Sequence, residues 1–227
     1  ALHAMAEITE RNNQQGVLTD CPQRDERFGW LNDLSSRLYQ TVYNCGMERF
    51  FPKFTRDIAD TQLKNGAIAD TAPYYTGGRP ADPVCIAYVL MPALSYALYG
   101  DVRFVRESYD GCKKWVEFLL SKSENYIVDY SYYADWVEPA CYDEHTDNLY
   151  VSSVFLFWHL KLLARLARIA GREEDVPVYE RHARASAAAI REKYFEARAG
   201  HFAGGTQAAD ALALSLGLVP EGERAAV

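Results

Sequence analysis

Along most of this chain apolar residues return every three or four positions, the spacing that lays one stripe along a helix. The clearest stretch runs from Leu149 to Ala170. There Val154, Phe155, Trp158, Leu162, Leu163, Leu166 and Ile169 keep the spacing, Lys161, Arg165 and Arg168 take the opposite face, and Gly171 follows as a C-cap. The next stretch, Val176 to Phe195, sets Val178, Ala185, Ala188, Ile190 and Phe195 against Glu180, Arg181, Arg184, Arg191 and Glu192, as a helix with one wet face does. The pattern predicts helices over about 1–13, 30–45, 47–64, 82–99, 102–121, 149–170, 174–196 and 206–218, with a ninth starting near Glu221. Strand-like alternation is confined to the region from Glu124 to Tyr133, so the expected fold class is all-α.

A very apolar helix followed by a more polar one recurs. The nearly charge-free 84–99 segment precedes 102–121, which carries Arg103, Arg106, Glu107, Lys113, Lys114 and Glu117. Inner helices shielded by outer ones in a two-layer barrel give this alternation, and so do stacked helical repeats. No fixed-period repeat signature is present. The long segments 65–81 and 131–148, with Tyr74, Tyr75, Tyr132, Tyr133, Asp135, Trp136, Glu138 and His145, favour the barrel, where loops on one rim build a pocket. The chain opens at Ala1 directly in a helical pattern, without a charged and apolar leader, and reads as part of something longer.

Composition narrows the chemistry. Lys and Arg number 24 against 31 Asp and Glu, for a net charge of −7, and no basic run is present, which disfavours a nucleic-acid partner and suits a small neutral ligand. Cys21, Cys45, Cys85, Cys112 and Cys141 are odd in number, lack C-x-x-C spacing and sit mostly in apolar segments, so reduced thiols and a cytoplasmic location are expected. The longest uncharged run, Pro83 to Gly100, has the length of a membrane span, but Pro92, Ser95 and three tyrosines mark it as a buried helix of a soluble protein; no membrane partner is expected. His3, His145, His159, His182 and His201 have no metal-site spacing, and His159 reads as a satisfied core histidine. Neither a G-x-S-x-G serine motif nor a phosphate-binding glycine motif occurs.

The segment richest in chemistry is Thr19-Asp20-Cys21-Pro22-Gln23-Arg24-Asp25-Glu26-Arg27-Phe28-Gly29-Trp30-Leu31-Asn32-Asp33. Carboxylates accept paired hydrogen bonds from vicinal hydroxyls, arginine fixes their orientation, and an indole covers the apolar face of a sugar. A carboxyl kept protonated by like charges and partial burial can donate a proton to a glycosidic oxygen. The alternative is a solvated loop in which Asp20 or Asp25 caps the next helix.

Asp20 to Asp33 resembles the D-C-P-Q-R-D-E-R-x-G-W-x-x-D signature of bacterial α-L-rhamnosidases, glycoside hydrolase family 78. The resemblance continues through Gly66 to Asp82, Tyr99-Gly100-Asp101, Tyr133-Ala134-Asp135-Trp136, Ala170-Gly171-Arg172-Glu173-Glu174-Asp175 and Thr206-Gln207, covering nearly the whole chain. It implies an (α/α)6 barrel, incomplete here with about eight of twelve helices, and residues 1–227 as part of one catalytic domain whose remainder and flanking β-domains lie elsewhere. It implies hydrolysis of terminal non-reducing α-L-rhamnose with inversion. Carried over, Glu26 is the general acid, Asp20, Arg24 and Asp33 bind sugar hydroxyls, Trp30 and Trp136 wall the ring and its methyl group, and Asp135 is either a sugar ligand or a brace.

Three positions depart from the family pattern. Ala134 stands where glycine is usual, Val84 and Cys85 stand where an aromatic residue is common after Asp82-Pro83, and the resemblance implies a water-activating carboxylate beyond Val227. With helices missing, 1–13 and 206–218 should expose apolar faces, and this length alone should be inactive. Glu138 is the first internal candidate for the base, against an exposed loop charge beside Pro139. Tyr74, Tyr75, Tyr130, Tyr132 and Tyr133 either line the pocket or anchor loops. The chemistry needs no cofactor and no metal, and the partner is a rhamnose-containing glycoside, with a homo-oligomer left open. Two further readings stay in play: the same barrel acting on another sugar, and a non-catalytic helical interaction scaffold.

Overall fold

A helix that is apolar on every face is stable only inside a protein. Such a helix is α4 (Ala87–Tyr99) in the computed structural model, which describes residues 1–136, 145–223 and 227. Every residue from Ala87 to Ser95 is buried. Pro92 lacks an N–H, which leaves the Tyr88 carbonyl without its helical donor. The Cys112 thiol supplies one, Sγ to O 3.3 Å. At the other end of α4 the Ala87 amide donates to Ser35 Oγ at 3.1 Å, and Gly100 closes the helix in the left-handed region at φ 69°.

Two compact units are present. The first comprises Ala1–Ala81, Cys85–Trp115 and Ile169–Gly171. It holds α1 (Leu2–Asn13), α2 (Leu31–Asn44), α3 (Phe50–Thr61), α4 and most of α5 (Val102–Ser121). α2 turns Leu31, Leu34, Leu38 and Thr41 inward, and α3 turns Phe51, Phe54 and Ile58 inward; both stripes pack on α4. Fully burying each such side chain is worth about 1.5–3 kcal/mol.

The second unit comprises Asp82–Val84, Val116–Arg168 and Arg172–Val227. Its core helix is α6 (Asn148–Ala170), followed by α7 (Val176–Tyr194) and α8 (Gln207–Leu216). α6 is long and apolar enough to cross a membrane, but 72% of that stretch is buried in the protein, as in a core helix. His159 is fully buried on it and donates through Nδ1 to the Phe155 carbonyl at 2.8 Å, the satisfied core histidine expected. Thr206 caps α8 through the Ala209 amide, while Lys161 and Arg191 donate to the carbonyls of Leu216, Gly217 and Leu218 at its far end.

Several boundaries differ from the sequence pattern. The helix expected from residue 82 starts at Ala87, because Asp82 is committed to loops. One oxygen accepts the Val84 amide at 3.1 Å, and the other accepts the amides of Tyr132 and Tyr133, the latter at 2.8 Å. The helix expected over 174–196 ends at Tyr194, where Phe195 enters strand β3 (Phe195–Glu196), paired with β4 (His201–Phe202). Phe202 there packs against Phe195 and Tyr150. In the alternating segment only β1 (Ser123–Glu124) and β2 (Ile127–Val128) pair, through a turn with Asn125 and Tyr126 both at positive φ. The expected ninth helix is not seen: residues 221–223 form a turn, and 224–226 lie outside the described residues. The exposed face expected at 1–13 is present, with Leu2, Met5 and Ile8 solvent-facing, and α8 buries only Ala209 and Ala213.

Ala134 lies at φ 45° and is buried. An L-residue there costs roughly 1–2 kcal/mol because Cβ meets a carbonyl oxygen. The loop holds it there through the two amides that Asp82 captures just before it. Ala134→Gly in the intact protein is expected to raise the unfolding free energy by about 0.5–1 kcal/mol, seen as a higher urea midpoint, since the added chain freedom offsets part of the relief. Chemical denaturation with an unchanged slope checks this; an unchanged or lower midpoint would refute the strain.

Candidate active site

The motif loop is closed by one residue using two of its atoms. Asp20 donates its amide to the Phe28 carbonyl at 3.0 Å and accepts the Phe28 amide on Oδ1 at 3.0 Å, pinching residues 21–27 into a surface loop. Upstream, Thr19 bonds Asn13 at the end of α1 through its amide and hydroxyl. Downstream, Gly29 and Trp30 run extended beside Thr71 and Ala72: Ala72 N donates to Gly29 O at 3.0 Å and Leu31 N to Asp70 O at 2.8 Å. The approach is so close that a Cβ on Gly29 would lie 2.2 Å from the Ala72 oxygen. A Cβ on Gly77 would lie 2.9 Å from the Trp30 ring. Tyr75 stacks on Phe28 at 4.8 Å, a packing anchor between the two loops.

Within this frame the charges converge. Glu26 Oε1 accepts the Trp30 indole N–H at 2.7 Å, and Oε2 meets Arg24 Nη2 at 2.6 Å. Arg24 Nε donates to Cys21 Sγ at 3.2 Å, and Cys21 Sγ lies 2.6 Å from Asp20 Oδ2. The Asp20 side chain is 4% exposed and that of Arg24 64%, a fixed acceptor beside an outward-reaching cation. Arg24 is held above its ordinary pKa, first by its hydrogen bond and electrostatic attraction to the Cys21 sulfur and then by the charge of Glu26.

Asp33, in the first turn of α2, has its pKa raised by surrounding protein and by the like charges of Asp20 and Glu26, against its own backbone hydrogen bond and Arg37. The residue keeps solvent access, which limits how far the shift runs. The capping alternative fails. α2 has no side-chain cap, Asp20 serves Phe28, and Asp25 stands in solvent with only Arg27 near it.

Sequence reasoning missed Arg37, Asp70 and the loop role of Asp82. Arg37 donates to the Thr19 carbonyl at 2.9 Å from beneath the motif, and burial depresses its pKa against the charges of Glu10, Asp33 and Asp20. Its spacing of four from Asp33 on one helix was the available signal. Asp70, fully enclosed, accepts the Gly78 amide at 2.5 Å and so shapes the loop under Trp30; nothing local in the sequence marks it. Asp20, Cys21 and Glu26 offer atoms within 4.8 Å of one another that could ligate a metal, but the guanidinium of Arg24 is the cation bonded among them.

Asp135 and Trp136 lie in the second unit. Asp135 Oδ2 accepts from Thr146 Oγ1 at 3.3 Å, and that hydroxyl shares a 2.7 Å bond with Thr206, which favours the brace. Trp136 is 69% exposed and meets the edge of Tyr133, which stacks in turn along Tyr132 and Tyr130. Tyr74 sits under the Arg79 guanidinium in the first unit. Val84 and Cys85 are buried. Glu138 and Cys141 lie outside the described residues.

Residues 1–227 match the model of the bacterial alpha-L-rhamnosidase 6 hairpin glycosidase domain. The chain belongs to this family. Its described helices are an incomplete (α/α)6 set. It is 28% identical over 93% of its length to an alpha-L-rhamnosidase of Formosa agariphila and 28% identical over 99% to one of Streptomyces avermitilis. It covers 23% and 21% of those proteins, so it spans under a quarter of their length. Among solved structures, the alpha-L-rhamnosidase of Dictyoglumus thermophilum matches at TM-score 0.88 and 32% identity over 96% of this chain and 26% of that one. The Streptomyces avermitilis enzyme complexed with L-rhamnose matches at 0.88 and 26% identity, over 100% and 22%.

Within this rhamnosidase-family chain, the raised Asp33 has a direct consequence for stability. A carboxyl whose folded pKa lies above its unfolded value contributes stability below the unfolded value and loses it as pH rises through the folded one. Asp33→Asn removes the ionisation penalty and is expected to raise the denaturation midpoint near about pH 7, with the gain shrinking toward about pH 4, where the acid is increasingly protonated in both states. Urea titrations at the two pH values check it; a gain equal at both would show that ionisation is not the cause.

Proposed function

We propose that the protein carrying this chain removes terminal non-reducing α-L-rhamnose from glycosides by hydrolysis with inversion. The observation that carries the reading is the fixed carboxyl of Glu26, gripped at one oxygen by Trp30 and at the other by Arg24, in a loop whose ends Asp20 closes. Each carboxyl oxygen has two lone-pair directions, so both grips leave a site for the transferable proton. Glu26 gives that proton to the glycosidic oxygen as the C1–O bond breaks. A water attacks C1 from the opposite face and loses its proton to a second carboxylate about 6.5–9.5 Å from the first. We place that base outside residues 1–227.

In the same reading, Asp20, Arg24 and Asp33 hold the sugar hydroxyls, and Trp30 covers the apolar ring face and the methyl group. Asp135 holds its loop rather than the sugar. Buried Val84 and Cys85 in place of an aromatic residue widen the range of sugars to be screened. The rhamnose bound in the Streptomyces avermitilis relative supports the choice of sugar. Buried free thiols at Cys21, Cys85 and Cys112 support a reducing, cytoplasmic setting.

Polarimetry and NMR of the intact protein on an aryl α-L-rhamnoside should show β-rhamnose appearing first. Glu26→Gln is expected to lower turnover of poor leaving groups by about 10²–10⁴ while L-rhamnose binding persists. Wild-type turnover in that variant would remove Glu26 as the acid.

A further inference from the structure

The Cys21 thiol sits at the junction of the charged groups. It is buried, with Sγ 2.6 Å from Asp20 Oδ2 and 3.2 Å from Arg24 Nε. The short S···O contact needs the thiol hydrogen between the two atoms, so S–H donates to Asp20 while the sulfur lone pairs accept from Arg24. Asp20 is itself immobilised by both Phe28 bonds. A chain of contacts therefore runs from the loop closure at Asp20, through sulfur, to the guanidinium, and from Arg24 Nη2 to Glu26 Oε2 at 2.6 Å. Direct contact between Arg24 and Asp20 is longer, 3.8 Å, so the sulfur is the nearer tether.

An exposed arginine on its own would sample many rotamers, and an exposed ion pair is worth little, about 0–1 kcal/mol. Anchoring Nε removes that freedom and leaves the outer nitrogens to swing over a small arc. A thiol suits the task because sulfur is large enough to touch both partners at once. A hydroxyl, on a shorter bond to Cβ, reaches one well and the other poorly.

We propose that Cys21 is a positioning residue: its thiol tethers Arg24 to Asp20 and thereby sets the orientation of the Glu26 carboxyl for proton donation. The proposal rests on Glu26 being the general acid. Its signature is a dependence on the leaving group. A nitrophenolate departs with little help, whereas an alkoxide needs a proton, so misaimed Glu26 slows alkyl rhamnosides and spares nitrophenyl ones.

The test measures kcat and KM of the intact protein and its Cys21→Ala, Cys21→Ser and Glu26→Gln variants on para-nitrophenyl and alkyl α-L-rhamnosides. The ratio of the two rates in one preparation is independent of the fraction folded, so partial misfolding does not blur it. Cys21→Ala is expected to lower kcat on the alkyl substrate by on the order of 10- to 100-fold, the range for an ångström-scale misplacement. The para-nitrophenyl rate should change by less than about threefold, and Cys21→Ser should recover part of the loss. Equal losses on both substrates, or no loss on either, would overturn the tether while leaving the Glu26 assignment intact, provided Glu26→Gln discriminates. If Glu26→Gln shows no leaving-group dependence, both the assignment and the tether fall.

Discussion

The candidate site depends on two backbones lying closer than side chains allow. Gly29 and Ala72 share a hydrogen bond with no room for a Cβ between them, and this contact holds the motif loop against the 65–81 loop. Trp30 follows Gly29 directly, so the indole is aimed by the bridge and not by its own rotamer preferences. Gly77 then fits beneath the ring, again where a Cβ would not. Once the indole is fixed, its N–H fixes Glu26. A larger residue at position 29 would separate the strands and misplace Trp30 and Glu26 together, although neither would have lost a contact of its own.

Carboxylates do much of the remaining construction. Asp20, Asp70 and Asp82 are turned inward, and each accepts backbone amides from a loop that no helix or sheet ladder satisfies. Buried amides must find acceptors, and an ionised carboxylate is the strongest one available to an irregular segment. The same residue type thus has two uses in one chain. Asp70 and Asp82 are consumed as loop braces, Asp20 closes the loop that carries Glu26, and Glu26 and Asp33 remain accessible to a ligand. Composition does not separate the two uses, because the difference lies in which amides happen to be nearby.

That distinction marks how far the sequence could be read. Helical periodicity located the eight helices among the described residues because their buried stripes are local, and Gly171 marked an end that local rules govern. The start of α4 was misread because Asp82 answers to amides fifty residues away. The end of α7 was misread because Phe195 pairs with Phe202 instead of continuing an apolar stripe. At the site, the motif residues were legible as a group, through a long and specific resemblance. Arg37 and Asp70 were not, since their importance comes from standing under the loop rather than within it. At Ala134 the sequence leaves two outcomes, a backbone that avoids positive φ or one that bears its cost, and the second holds because other contacts keep the loop in the left-handed torsion.

The grips on Glu26 also bear on how a sugar would be received. Asp20 is enclosed and already bonded to Phe28 and Cys21, so its geometry is set before any ligand arrives. Arg24 is the exposed partner, held at Nε by Cys21 and at Nη2 by Glu26. Sugar hydroxyls both donate and accept, so a site of rigid acceptors alone would satisfy only half of their hydrogen-bonding capacity. An arginine anchored through Nε can supply the missing donors from a fixed position, which is why the tether on Arg24 matters more than the small energy of its exposed ion pair.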